Sequence, residues 1–303
     1  MLAIETKKLS RSFKGKPAVS NLDLHVPEGS IYGFIGQNGA GKSTTQKMIC
    51  GLLHPDEGSI SLYGKSGDDS EIRSKIGVII ESPALFPNAS AYENMMMQAL
   101  NLGVRNPDEK IKELLKLVGL SETEKKKAKL FSLGMKQRLA IGQTLIGDPK
   151  LLILDEPTNG LDPQGIIEIR NTLQKINQER GITILISSHI LGELSRIATH
   201  YGIIKQGKMI EEIDKEALRE KCKEYMTVHM KEVQKGEKLI RTELGDTYPI
   251  EVTEDAVHIH HYQNGERINR VLAENGIYAS EIKQHKMDLE EYFLAAMEGR
   301  AHA

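Results

Sequence analysis

Hydrophobic positions fall into short apolar runs interleaved with helical periods, the pattern of an α/β core. Ile31-Tyr32-Gly33-Phe34-Ile35 reads as a buried strand, followed by a helix over 44–53. Leu151-Leu152-Ile153-Leu154 is a second apolar run, and Ile182-Thr183-Ile184-Leu185-Ile186 a third. Runs this apolar suit parallel strands covered on both faces. Residues 2–13 and 19–26 predict strands of an antiparallel flank ending at Pro27-Glu28-Gly29, with 57–64 as a further hairpin arm. Ile111, Leu114, Leu115 and Val118 repeat at helical spacing within 106–120. With a helix over 135–147, this segment builds a helical subdomain covering about 82–148. Residues 201–213 predict a hairpin turning at Gln206-Gly207-Lys208, which closes a first domain over 1–213.

The pattern then changes. Asp214 is placed to cap a connecting helix running to 223. Strands are predicted at 225–230, 249–253, 256–262 and 277–282, and helices at 236–244 and 266–274. That βαββαβ order suggests a small α+β domain over 214–303, of the ferredoxin-like split kind, closed by a helix over 287–297.

Composition narrows the setting. The 303 residues are 27% charged with a net charge of −2, so there is no basic footprint for nucleic acid. Aromatics are 5% and Trp is absent, leaving few platforms for stacking bases. No run reaches the roughly 18 apolar residues of a membrane helix. Met1 to Thr6 has neither the basic nor the apolar region of a secretory signal. Cys50 and Cys222 stand in no metal or redox spacing, so a reducing cytoplasm is expected. His258, His260 and His261 have no acidic or cysteine partner at fixed spacing and read as surface histidines.

Chemistry enters at Gly36-Gln37-Asn38-Gly39-Ala40-Gly41-Lys42-Ser43-Thr44, a G-x-x-x-x-G-K-S segment between a strand and a helix. Its glycines let backbone N–H groups turn inward around an anion, and the helix N-terminus adds partial positive charge. Lys42 can reach the β- and γ-phosphates of a nucleotide, and the Ser43 hydroxyl can ligate Mg²⁺. The run 151–154 ends in Asp155 and Glu156. Asp155 is placed to hold the Mg²⁺ through water, and Glu156 to polarise the water that attacks the γ-phosphate. A cradle alone leaves kinases, GTPases and helicases open.

The order of further segments closes that choice. Phe131-Ser132-Leu133-Gly134-Met135 precedes the acidic strand, Pro157-Thr158-Asn159-Gly160-Leu161-Asp162 follows it, and Ser187-Ser188-His189 comes next. This arrangement over the first ~210 residues resembles the nucleotide-binding domains of ABC transporters. The resemblance implies a RecA-like core with an antiparallel β flank and a helical subdomain. It implies ATP and Mg²⁺ as ligands, and two copies, identical or paired, facing head to tail. Ser132 and Gly134 would contact the γ-phosphate held by Lys42 of the other copy, His189 would help hold the attacking water, and Asp162 would link the two sites. Phe13 falls where relatives stack an aromatic on adenine, with Val19 nearby.

Two departures stand out. Leu133 and Met135 replace a glycine and a glutamine of the usual signature segment, and Glu81 stands where a glutamine is usual. An ionised carboxylate accepts hydrogen bonds only and binds Mg²⁺ more strongly than an amide does. Glu81 therefore joins Ser43 and Asp155 as a candidate metal ligand. Together the departures resemble the bacitracin-resistance and lantibiotic-immunity branch of exporters. The implied protein is an ATPase, peripheral on the inner face of the cell membrane, that drives export of a peptide antibiotic or lipid through a separate transmembrane permease. The competing reading is a soluble ABC ATPase acting on a nucleoprotein or ribosomal partner. No long coiled-coil insertion and no second cassette supports it. Leu85, Phe86, Tyr92, Met95, Met96 and Met97 are divided between core filling and an adaptable groove for a partner helix.

Overall fold

The computed structural model describes residues 1–81, 83–123, 125–222, 225–285 and 289–298. The chain forms two compact units, Met1–Lys215 and Glu216–Ala303.

Unit one opens with long antiparallel strands β1 (Leu2–Phe13) and β2 (Lys16–Pro27), then β3 (Ile31–Ile35) and helix α1 (Lys42–Ile49). Strands β4 (Glu57–Leu62) and β5 (Lys65–Ser66), helix α2 (Ser70–Arg73) and strand β6 (Ile76–Ile79) follow. Three helices come next, α3 (Ala91–Asn101), α4 (Asp108–Leu117) and α5 (Leu133–Thr144). The unit ends with β7 (Leu151–Asp155), α6 (Pro163–Arg180), β8 (Thr183–Ser188), α7 (Leu191–Leu194), β9 (His200–Lys205) and β10 (Lys208–Asp214).

Two sheets result. One has the order β2-β1-β4-β5 and is antiparallel; the other runs β10-β9-β3-β8-β7-β6. In the second, β6, β7, β8, β3 and β9 are parallel, and β10 closes the edge antiparallel. Every residue of β3, β7 and β8 is buried, as expected of strands whose side chains pack on both faces. One apolar cluster joins the sheets, with Ile4, Leu22, Leu24 and Val26 packed among Phe34, Met48, Ile49 and Ile153.

The helices begin where their caps dictate. Ser90 and Glu93 form a reciprocal capping box on α3, while Ser132 and Asp162 cap α5 and α6. Ile111, Leu114 and Leu115 of α4 are fully buried, so the helical period in the sequence does mark its inward face. No described helix is long and apolar enough to cross a membrane.

Beyond α8 (Lys215–Lys221), whose predicted end at Lys223 lies outside the described residues, unit two follows the expected element order. It has β11 (Tyr225–Met230), α9 (Val233–Leu244), β12 (Ile250–Val252), β13 (Ala256–His260), α10 (Gly265–Glu274) and β14 (Ala279–His285). The final helix, α11 (Leu289–Glu298), starts after Met287 and Asp288, which also fall outside the described residues. The sheet order is β12-β13-β11-β14, antiparallel throughout. Met226, Val228, Val257 and Ile259 pack with Ile240, Ile268 and Leu272 of α9 and α10. On β11 and β13 the alternate positions carry Tyr225, His258 and His260, and Tyr225 stacks on His285 at 4.7 Å between ring centroids.

A buried tyrosine ties β3 to the sheet edge. The Tyr32 hydroxyl, 1% exposed as a residue, donates to Glu212 Oε1 at 2.5 Å, and His25 Nδ1 lies 2.7 Å from Oε2. Burial foremost, then the Glu212 charge, raises the Tyr32 phenol well above its ordinary range. Gly202 of β9 lies between β3 and β10, and a Cβ there would sit 2.3 Å from the Tyr32 oxygen. Gly202→Ala should therefore displace the ring and lower unfolding free energy by about 1–3 kcal/mol, read from the urea midpoint.

Candidate functional site

Parallel register brings four strand ends to one edge of the sheet. Ile35 pairs with Ser188, Asp155 with Ser187, and Ile79 with Leu154. The residues immediately after these strands, Gly36, Glu156 and His189, therefore emerge side by side at the carboxyl edge, where open α/β sheets bind ligands.

The loop from Gly36 to Gly41 owes its path to glycine. A Cβ on Gly36 would lie 2.5 Å from the Ile204 carbonyl oxygen. Gly41 has φ of 106°, and a Cβ there would approach the Ala18 oxygen to 2.6 Å. As the N-cap of α1, Gly41 carries no side chain to engage the first N–H groups of that helix, which leaves them for an external acceptor. Helix α1 consequently starts at Lys42, two residues before the start expected from periodicity.

Lys42 is only 5% exposed. Its Nζ donates to the Gly36 oxygen at 2.7 Å and the Gln37 oxygen at 3.2 Å, and lies 3.1 Å from Glu156 Oε1. The other Glu156 oxygen makes a short contact with His189 Nδ1. Glu156 holds φ of 48°, a left-handed conformation that a side-chain-bearing residue adopts at a cost. Lys42, Glu156 and His189, drawn from three separate segments, thus form one continuous chain of polar contacts.

Ser187 supports that arrangement from behind. Its fully buried hydroxyl donates to Asp155 Oδ1 at 2.6 Å and accepts the Glu156 backbone N–H at 3.0 Å. Gln46 donates to the Leu154 oxygen at 3.2 Å from the neighbouring helix. Sequence reasoning assigned no role to Ser187, Gln46 or Asn159. The available signal was the serine pair that ends an otherwise apolar strand.

A cleft of about 260 Å³ is lined by Ala18, Asn38, Gly39, Gly41, Lys42, Ser43, Thr44, Glu156 and Asn159. Ala40, by contrast, is buried at 6% exposure in the hydrophobic core. Of the adenine-side candidates, Phe13 is 46% exposed beneath the Arg11 guanidinium at 5.3 Å, and it is not among the cleft-lining residues. Val19 is 1% exposed inside the core, because strand alternation turns it inward and leaves its neighbour Ala18 on the cleft.

Ser132 is exposed at the start of α5 and its Oγ accepts the Met135 N–H at 3.2 Å. Gly134 is buried against Gly165 and Leu161, the segment that Asp162 caps by accepting the Gly165 N–H at 3.1 Å. Glu81 is not among the cleft-lining residues. Its carboxylate is 2.8 Å from Lys47 Nζ, and that hydrogen bond and charge hold the carboxyl below its ordinary range. Cys50, at the end of α1, is pushed up to about 12 by burial, which keeps its thiol protonated and unreactive.

The oxygen donors present suit a hard cation bound together with phosphate. Ser43 lines the cleft and Asp155 immediately precedes Glu156. Mg²⁺ takes one or two protein oxygens plus water and substrate phosphates, so it needs no all-protein cage. Among the described residues no group of three or more His, Cys, Asp or Glu forms such a cage.

Comparison with known proteins points to one family throughout. The ABC transporter family model matches residues 19–159. The bacitracin transport ATP-binding protein BcrA of Bacillus licheniformis is 40% identical, covering 98% of this chain and 97% of its own length. The lantibiotic transport ATP-binding protein SrtF of Streptococcus pyogenes is 46% identical over 69% of this chain and 90% of its own. Among solved structures, cbiO1 of Clostridium perfringens, part of the ABC transporter complex cbiONQ, superposes with a TM-score of 0.65 at 31% identity over 72% of this chain and 94% of its own. A dimeric ATP-binding cassette in a post-hydrolysis state, bound to ADP and Pi, gives 0.62 at 28% identity over 70% of this chain and 98% of its own.

Ser187→Ala removes the group that orients both carboxylate residues while leaving Lys42 in place. It should cost about 1–3 kcal/mol of stability for the buried partners it strands. It should also slow ATP turnover by more than tenfold, measured by phosphate release on the folded variant.

Proposed function

The chain belongs to the ATP-binding proteins of ABC transporters, and from that premise we propose that it drives export of a peptide antibiotic or a lipid through a separate membrane-spanning partner. The observation that carries the chemistry is the contact chain Lys42–Glu156–His189 at the mouth of the glycine loop. The observation that carries the substrate class is a likeness to a bacitracin-transport protein extending over 98% of the chain, and so into unit two.

ATP enters with its phosphates against the uncapped N–H groups of α1. The Lys42 ammonium then exchanges the Glu156 carboxylate for phosphate oxygen, releasing Glu156 toward a water molecule. Ser43 and Asp155 would hold Mg²⁺, which supplies neutralisation of the polyphosphate charge. Glu156 accepts a proton as the water oxygen bonds to the γ-phosphorus and the bond to the ADP oxygen breaks. His189, on the same carboxylate, orients Glu156 and the water. A second cassette would present its exposed Ser132 to this γ-phosphate, with Asp162 reaching across from the segment beside it.

The membrane partner would engage a groove of about 330 Å³ between β6, α3 and α5. Phe86 and Met97, 56% and 38% exposed, line it together with Ile80 and Pro83. Met95 is fully buried, so the methionine cluster divides between core and groove. A short amphipathic helix fits such a surface, and docking there would keep the chain at the inner face of the membrane.

Glu156→Gln should retain ATP, lose hydrolysis, and accumulate as a dimer in ATP and Mg²⁺, read by light scattering. A variant that binds ATP yet remains monomeric counts against the paired cassettes. Phe86→Glu should spare ATP hydrolysis by the isolated chain while abolishing its recovery with membranes.

A further inference from the structure

Glu81 and Lys47 meet at a place that neither nucleotide chemistry nor partner docking accounts for alone. Lys47 stands four residues after Ser43 on α1, so the two project from the same face of that helix, one turn apart. Its Nζ lies 2.8 Å from Glu81 Oε1. Glu81 follows β6 with φ of 70°, a left-handed conformation with a steric cost for a side chain. Its neighbours Ile80 and Pro83 line the groove beside α3.

The pair is exposed, with side chains 37% and 72% accessible, and pairs of that kind add little to stability. Its consequence is electrostatic and local. Lys47, one helical turn from Ser43, brings the Glu81 carboxylate to the phosphate-binding helix. Left free, that charge would repel an incoming polyphosphate through space, whereas bound to the ammonium it is compensated.

We infer that Lys47 is a positioning residue for Glu81: it holds that carboxylate, charge-compensated, between the phosphate-binding helix and the groove, and so keeps it from opposing nucleotide entry. The inference rests on the ATP-binding reading above. Glu81 directly follows Ile80, so the contact also joins α1 to the chain segment that lines the groove.

The test is equilibrium binding of a fluorescent ATP analogue at low salt, in EDTA and in excess Mg²⁺. Lys47→Met, which keeps the aliphatic stem, should weaken binding in EDTA by about three- to tenfold and by less in Mg²⁺, because the metal offsets the freed carboxylate. Lys47→Arg, which preserves the pair, should bind like the unmodified chain. In a Glu81→Gln background, Lys47→Met should change binding by less than about twofold, since no carboxylate is left to position. Equal losses with and without Glu81, or no loss from Lys47→Met, would overturn the inference. Failure of the unmodified chain to bind the analogue in either condition would overturn the ATP-binding reading as well.

Discussion

The Lys42 side chain is 5% exposed, and a cation buried to that degree must be met by oxygen atoms. Two backbone carbonyls and the Glu156 carboxylate meet it. Phosphate can replace the carboxylate, but apolar packing cannot, so the ion demands an anion at this point. The same contact occupies the carboxylate that hydrolysis requires. Binding and activation are thereby linked through one group: the phosphate that satisfies Lys42 also frees Glu156 to act on water.

That contact exists because of strand register. Lys42 and Glu156 lie 114 positions apart in the chain and meet only because β3, β8 and β7 align their ends, Ile35 with Ser188 and Asp155 with Ser187. Ser187 then fixes both acidic residues through one buried hydroxyl. A one-residue slip between β7 and β8 would turn Asp155 to the other face of the sheet, away from the Ser187 hydroxyl, and dissolve the site.

The sequence made local features legible and left those that depend on distant pairing hidden. Strand 31–35, the glycine loop and the acidic end of β7 were visible because composition, spacing and turn chemistry agree over a few neighbouring residues. Unit two also shows its element order in alternation and turn residues. Helix α1 begins earlier than its periodicity suggests because a left-handed glycine, not an apolar residue, starts it. Val19, named for the adenine side through its nearness to Phe13, is turned into the core by strand alternation, which leaves Ala18 on the cleft. The support from Ser187 and the pairing of Glu81 with Lys47 join residues 31 and 34 positions apart, and no local pattern encodes such contacts.

The central claim is that ATP chemistry at the Lys42–Glu156 contact works on a membrane-embedded partner. Its most direct test is to hold the chain in the ATP-bound state with Glu156→Gln, solubilise host membranes gently, and determine by mass spectrometry what co-purifies and in what ratio. The account predicts an integral membrane protein of several apolar helices in stoichiometric amount, lost when ATP is omitted during assembly or when Phe86 carries a charge. Recovery with ribosomes or nucleoprotein, and no membrane protein, would contradict it.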